Sequence, residues 1–202
     1  MTKPLLIGLT GGIGSGKSTI ARVFQSLGIP IYYADDRGKA LLTEDEQLRK
    51  EVTATFGESS YNGDGSLNRQ YLAEKVFSNN DELAKLNGLV HPAVVRDFET
   101  WAKLNCSAPY LIKEAAILFE HGGYKAMDKN IAVMAEKELR KRRVLLRDPQ
   151  RSAAQVDDIL AKQTSDNQRR KLADFLIDNN DSQMVIPQVM EIHQALLSLT
   201  SH

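Results

Sequence analysis

A single cysteine, Cys106, leaves no partner for an intramolecular disulfide, and its setting between Asn105 and Ser107 offers neither a second Cys nor a nearby His for a metal site. A reducing compartment, the cytoplasm, is therefore expected. Charge of neither sign predominates, because 26 Lys and Arg stand against 26 Asp and Glu. That balance excludes a generally cationic nucleic-acid or membrane-surface protein and leaves open only a local basic patch. Aromatic residues are sparse, at 6%, and no stretch approaches the roughly 18 apolar residues of a membrane span. Leu5–Leu9 is too short, and interrupted by Gly8, for a signal peptide. Internal repeats and low-complexity tracts are missing too, and the most turn-like segment, Ser59–Ser66, reads as one exposed loop around Asn62, Gly63, Asp64 and Gly65. What the chain does have is 42% apolar residues over a length of 202, enough for one domain with a full core and room for inserted lobes.

Apolar spacing places the elements. Leu5, Leu6, Ile7, Gly8 and Leu9 form the continuous run of a strand buried on both faces of a parallel sheet. From Lys17 the period becomes helical through Ile20, Ala21, Val23, Phe24 and Leu27, with Gly28 and Pro30 as a stop. Ile29–Ala34 reads as a second buried strand ending at Asp35 and Asp36. Helical spacing then dominates residues 36–107. Thr43 with Glu46 forms a candidate capping box, Ser78 with Asp81 a second cap, and Pro92 is expected to interrupt the last helix there. Tyr110–Phe119 and Ile131–Ala135 return to β-compatible runs. Glu136–Arg151 is charged and helical, and Ala153–Lys162 is a further helix. Phe175–Ile177 is a last strand ending at Asp178 and Asn179, and Val185, Val189, Ile192, Leu196 and Leu199 trace a C-terminal helix. Strands alternating with helices give an α/β class with a parallel sheet.

Between the first strand and first helix, Gly11-Gly12-Ile13-Gly14-Ser15-Gly16-Lys17-Ser18 satisfies G-x-x-x-x-G-K-[ST], the P-loop pattern, in the strand-to-helix context that it requires. Glycines there let successive backbone N–H groups converge on phosphate oxygens at a helix N-terminus. Lys17 would reach the β- and γ-phosphates, and the Ser18 hydroxyl would ligate Mg²⁺. The bland alternative is a Gly-rich turn with a surface lysine. An N-K-x-D guanine-reading motif is missing, so ATP is the expected nucleotide. Leu111-Ile112-Lys113-Glu114 is only a loose imitation of the apolar strand ending in Asp that large ATPases carry, with a charge inside the run.

Asp35 stands where a parallel P-loop sheet would present the phosphoryl acceptor, so it could take the proton of an attacking hydroxyl and help hold Mg²⁺. An N-cap for the following helix is the competing reading of Asp35 and Asp36. Arg140, Arg143 and Arg147 align at i, i+3 and i+7 on a helix. They suit neutralisation of a transferring phosphoryl group, with a solvated face or a nucleic-acid patch as alternatives. His91, beside Pro92, reads as structural.

Taken together these residues resemble the dephospho-CoA kinases, which phosphorylate the ribose 3′-hydroxyl of dephospho-CoA to complete coenzyme A. Gly8 to Ser18 reads like that family's extended P-loop. Asp64-Gly65-Ser66-Leu67-Asn68-Arg69, Val76-Phe77, Leu86-Asn87, Val90-His91-Pro92, Ala116-Ile117-Leu118-Phe119-Glu120, Arg143 with Arg147-Asp148, Gln163, and Ala173 to Asn179 resemble its later blocks in order. The resemblance implies a three-layer α/β P-loop NTPase fold. Its core would be residues 1–35, 108–138 and 171–202, with a helical acceptor lobe at 36–107 and a helical lid at 139–170. It implies Asp35 as the catalytic carboxylate and Arg143 and Arg147 as lid arginines. Gly12, Ile13, Gly14, Ser15, Gly16, Lys17, Ser18 and Thr19 would form the ATP phosphate site, with Asn179 near the adenine. ATP and Mg²⁺ are the implied cofactors and dephospho-CoA the implied acceptor, with neither nucleic acid nor membrane as partner. Two departures stand out. Tyr33 replaces the first acid of an Asp-Ala-Asp that many members carry, and Glu114 adds an acid to which the resemblance assigns no role.

Overall fold

The computed structural model describes residues 3–77 and 79–200. By its internal packing the chain divides into two units, one formed by residues up to Tyr33 together with those from Asn105 onward, the other by Ala34–Leu104.

In the first unit, strands β1 (Leu5–Gly11), β2 (Ile31–Tyr33), β3 (Tyr110–Glu114), β4 (Lys129–Met134) and β5 (Phe175–Asp178) form one sheet in the order β2-β3-β1-β4-β5. All the pairings are parallel. β1 lies in the middle with β3 on one side and β4 on the other, so the chain leaves its C-terminal end at the point where the winding of the sheet reverses, the usual place for a ligand in such sheets. Helix α1 (Lys17–Ser26) buries Ile20, Ala21 and Phe24. α9 (Val185–Thr200) buries Val189, Ile192 and Leu196. Both pack on the sheet face that carries Ile7, Leu9, Tyr110, Ile112, Ile131, Val133 and Ile177. The other face holds Ala132 and Met134 against Phe119, Tyr124, Leu172 and Ala173. Helices α6 (Lys137–Arg147), α7 (Ala153–Lys162) and α8 (Asp166–Leu172) occupy the stretch between β4 and β5. The last of these is a separate turn of helix that the apolar spacing does not reveal, since its seven residues hold one apolar side chain, Leu172.

The second unit is helical: α2 (Ala34–Glu44), α3 (Glu46–Phe56), α4 (Arg69–Phe77) and α5 (Asn80–Leu104). α5 packs against the other three, with Leu41, Leu48, Val52, Phe56, Leu72, Ala93, Val94 and Phe98 buried. Arg37 of α2 donates two hydrogen bonds, each of 2.9 Å, to the Asp97 carboxylate of α5. The loop around Asn62–Ser66 is closed by its own polar groups, with Asp64 accepting from the Ser66 N–H and hydroxyl.

Four local expectations change. The second strand ends at Tyr33 and Ala34 already opens α2, so Asp35 and Asp36 sit in the first helical turn instead of at the end of a strand. Thr43 lies inside α2 and donates to the Ala40 carbonyl, while Asp45 caps α3 by accepting from the Leu48 N–H. Pro92 does not break α5, which runs unbroken for 25 residues. A mid-helix proline costs about 3 kcal/mol, and Ala93, Val94 and Phe98, buried immediately after it, hold the second half in line with the first. The strand expected over Tyr110–Phe119 stops at Glu114, where the chain turns. Ser78, the expected cap of the last helix, lies outside the described residues, and Asn79 accepts from the Asp81 N–H at 2.9 Å there.

Candidate active site

The P-loop follows β1 directly. Ser15 N–H donates to the Gly12 carbonyl at 3.0 Å, and Gly14 and Gly16 take φ of +77° and +90°, a region that L side chains avoid. Space demands glycine as well as torsion. A Cβ on Gly12 would strike the Arg140 guanidinium, on Gly14 the Arg140 backbone, and on Gly16 the Asn179 amide. α1 begins at Lys17 with Gly16 as its N-cap, no side-chain cap and no acidic residue in its first turn. The helix therefore presents uncompensated N–H groups and the positive end of its dipole, the conditions for anion binding. Lys17 is largely buried, with Nζ 3.8 Å from a Glu114 oxygen. Ser18 and Thr19 are exposed in the same turn.

Three side chains fix the loop from outside. Gln163, just past α7, accepts from the Ile13 N–H at 2.9 Å. Asn179, just past β5, donates from Nδ2 to the Ser15 carbonyl at 2.7 Å, and its own N–H donates to Met134. Asn179 thus braces the loop backbone. Arg140, near the start of α6, is buried beside Gly12, where Arg169 of α8 also approaches. Asp166 joins the two guanidinium groups, accepting from Arg140 at 3.0 and 3.2 Å and from Arg169 at 2.8 Å. Burial pulls the Arg140 guanidinium below its ordinary pKa, and neighbouring Arg169 adds to this while Asp166 opposes it. Arg140 Nε and Arg169 Nη2 are buried without hydrogen-bond partners, so two cationic groups beside the phosphate cradle retain donor capacity.

The arginine stripe is split by position. Arg140 meets the loop, whereas Arg143 donates from Nη2 to Asp181 at 2.8 Å and keeps a buried, unpartnered Nη1. Arg147 is exposed in the last turn and makes no ion pair among the described residues. Seven helical residues advance about 10 Å along the axis, so one face cannot bring all three to one point. Arg140, Arg169 and Gln163 are the residues that the motif reading underrated. Arg140 is legible in the stripe, but nothing in the local spacing marks Arg169, whose burial depends on where α8 lands. A cleft of about 560 Å³, lined by Glu136, Leu139, Arg142, Asn180 and Asp181, opens immediately after Asn179.

Asp35 belongs to the second unit, exposed in the first turn of α2. Its neighbour Asp36 pairs with Lys39 at 3.0 Å. His91 is half-buried on α5 and is partnered. Among the described residues no cluster of three His, Cys, Asp or Glu could cage a metal. Mg²⁺ needs no such cage, because it keeps waters and takes one or two protein oxygens beside substrate phosphates. The Ser18 hydroxyl, at the mouth of the cradle, fits that requirement. Among the described residues no helix is long and apolar enough to cross a membrane.

Comparison with known proteins converges on one family. Residues 5–184 match the family model described as dephospho-CoA kinase. A dephospho-CoA kinase of Bacteroides fragilis is 34% identical over 186 residues, covering 92% of this chain and 90% of the relative. One from Chlorobium chlorochromatii is 37% identical over 204 residues, covering 96% and 94%. Among solved structures, a dephospho-CoA kinase from Campylobacter jejuni superposes with a TM-score of 0.70 at 25% identity, covering 96% of this chain and 97% of that one. With a parallel sheet, a P-loop after its central strand and a family match over most of its length, this chain belongs to the dephospho-CoA kinase family.

Proposed function

We propose that the protein transfers the γ-phosphoryl group of ATP to the ribose 3′-hydroxyl of dephospho-CoA, giving coenzyme A and ADP. The observation that carries this reading is the uncapped N-terminus of α1 with Lys17 in its first turn and buried Arg140 beside the loop, in a chain of this family. The N–H groups of residues 12–19 would hold the phosphates, and Lys17 would follow the charge on the β- and γ-oxygens. The Ser18 hydroxyl would hold Mg²⁺ beside the phosphates, where the cation would supply charge neutralisation. Arg140 and Arg143 stabilise charge on the phosphoryl group in flight, because their planar forks can engage two oxygens each. Asp35 orients the acceptor hydroxyl and takes its proton. Asn179 and Gln163 act through the loop that they brace. The helical unit is the acceptor lobe, and residues 139–170 are the lid that excludes water, which would otherwise compete as acceptor. The exposed thiol of Cys106 suits a reducing cytoplasm.

An acceptor panel tests the proposal. With ATP and Mg²⁺, dephospho-CoA should be phosphorylated much faster than AMP, adenosine or pantothenate, as read by mass spectrometry. Preferential labelling of a nucleoside monophosphate would overturn the acceptor and leave the P-loop reading intact.

The arginines differ in expected effect. Arg140→Ala and Arg143→Ala should each lower kcat about a hundredfold, and Arg147→Ala should lower it less. Lysine at either of the first two positions should restore only part, since an ammonium is a single point charge. Steady-state kinetics of the five variants decides. Unchanged activity in Arg143→Ala and Arg147→Ala would return that part of the stripe to ordinary solvated surface.

A further inference from the structure

Glu120 occupies the turn that follows β3, with its side chain 15% exposed and its Oε2 buried without a hydrogen-bond partner. Its Oε1 accepts from the Thr164 backbone N–H at 2.8 Å. Arg169 Nη2 stands 3.9 Å from the same oxygen, beyond hydrogen-bond range. A carboxylate placed to neutralise Arg169 would meet the guanidinium at close range. Asp166 makes that close contact instead, at 2.8 Å from Nη1, and Glu120 gives its short bond to the main chain 44 residues further on.

The place of that main chain supplies the reason. α7 ends at Lys162 and α8 begins at Asp166, and between them Gln163 and Ser165 are extended. A short extended connection lacks the ladder of a helix or sheet, so its course depends on what its N–H groups find nearby. Thr164 N–H finds Glu120, and the residue before it, Gln163, accepts from the Ile13 N–H of the P-loop at 2.9 Å. A shift of about 1 Å at this joint takes the Gln163 oxygen out of hydrogen-bond range of Ile13. We infer that Glu120 is a positioning residue for nucleotide binding: by holding Thr164 it sets Gln163 against Ile13, and so fixes the loop backbone that receives the phosphates. Buried Arg169 offsets part of the cost of burying the charge. This inference rests on the reading of residues 11–18 as the nucleotide site.

Reach, more than charge, is what this role requires, and two variants separate them. Glu120→Asp keeps the charge near Arg169 but falls one methylene short of Thr164, and it weakens ADP binding about tenfold, the size of losing one well-made bond to a buried group. Glu120→Gln keeps the reach and an acceptor oxygen, and it stays within about threefold of the wild-type protein. Gln163→Ala weakens ADP as Glu120→Asp does, and the double variant Glu120→Asp/Gln163→Ala binds no more weakly than Gln163→Ala, because both changes remove one bond. Calorimetric titration with ADP reads the affinities. Hydrogen exchange of the Ile13 amide in the nucleotide-free protein, followed by NMR, reads the brace directly: it speeds up in Glu120→Asp and Gln163→Ala and is unchanged in Glu120→Gln. Thermal melting confirms that each variant is folded. Thr164→Pro removes the donor instead of the acceptor, at a position whose preceding residue is already extended as proline requires, and it carries the test if Glu120→Asp does not fold. Wild-type ADP affinity in Glu120→Asp overturns the inference. So does an equal loss in Glu120→Gln, which would assign the effect to charge on Arg169, and so do additive losses in the double variant, which would remove Gln163 as the route. If wild-type protein binds no ADP, the nucleotide site itself fails and the inference with it.

Discussion

Lys17→Ala should lower kcat at least about a thousandfold, the scale on which a cation at the transferring phosphoryl group acts. The backbone cradle survives the change, because it is set by Gly14, Gly16, Gln163 and Asn179, none of which contacts the lysine side chain through a hydrogen bond. ADP should therefore still bind, more weakly. Some stability is lost as well, since buried Glu114 loses the cation 3.8 Å away. The double variant Lys17→Ala/Glu114→Gln should regain melting temperature and no turnover. Rate and melting curves measured side by side separate the two effects, and an active Lys17→Ala protein would remove the P-loop from the account.

Asp35→Asn should lower kcat by about 10²–10⁴, the range of general-base catalysis, with substrate affinities little changed. The amide keeps the shape but loses the basicity. Its effect on folding should be small, because a carboxylate in the first turn of α2 contributes only about 0.3–1 kcal/mol through the helix dipole. Asp36→Asn breaks an exposed pair with Lys39, worth at most about 1 kcal/mol, and should leave turnover near that of the wild-type protein. Calorimetry for binding and steady-state rates for turnover make the comparison. Normal binding with normal turnover in Asp35→Asn would reduce this residue to a helix-end charge.

The P-loop was readable because its chemistry is local: eight consecutive residues carry both the torsions and the charges. The strands are readable for a similar reason, since Ile7–Leu9 and Ile131–Val133 are buried on both faces and leave no room for a polar side chain. Asp35 reads as the end of a strand because Ala34 is compatible with either a strand end or a helix start, and neighbouring residues do not decide between them. Pro92 misleads because the proline penalty is local, whereas the packing that outweighs it comes from α2, α3 and α4. Arg169 and Gln163 reach the loop from 150 or more residues away in sequence, and no spacing rule anticipates that encounter. Glu114 is the instructive case. An acid ending an apolar run looks like an imperfect motif until β3 is seen to lie beside β1, with the carboxylate buried 3.8 Å from Lys17 Nζ.

The most direct test of the account is the position of the transferred phosphate. Wild-type protein incubated with ATP, Mg²⁺ and dephospho-CoA should yield one ADP per acceptor consumed, and phosphorus NMR with fragment-ion mass spectrometry should place the new phosphate on the ribose 3′-oxygen, in a product identical to coenzyme A. ADP formed without a phosphorylated acceptor, or phosphate found at any other position, would contradict it.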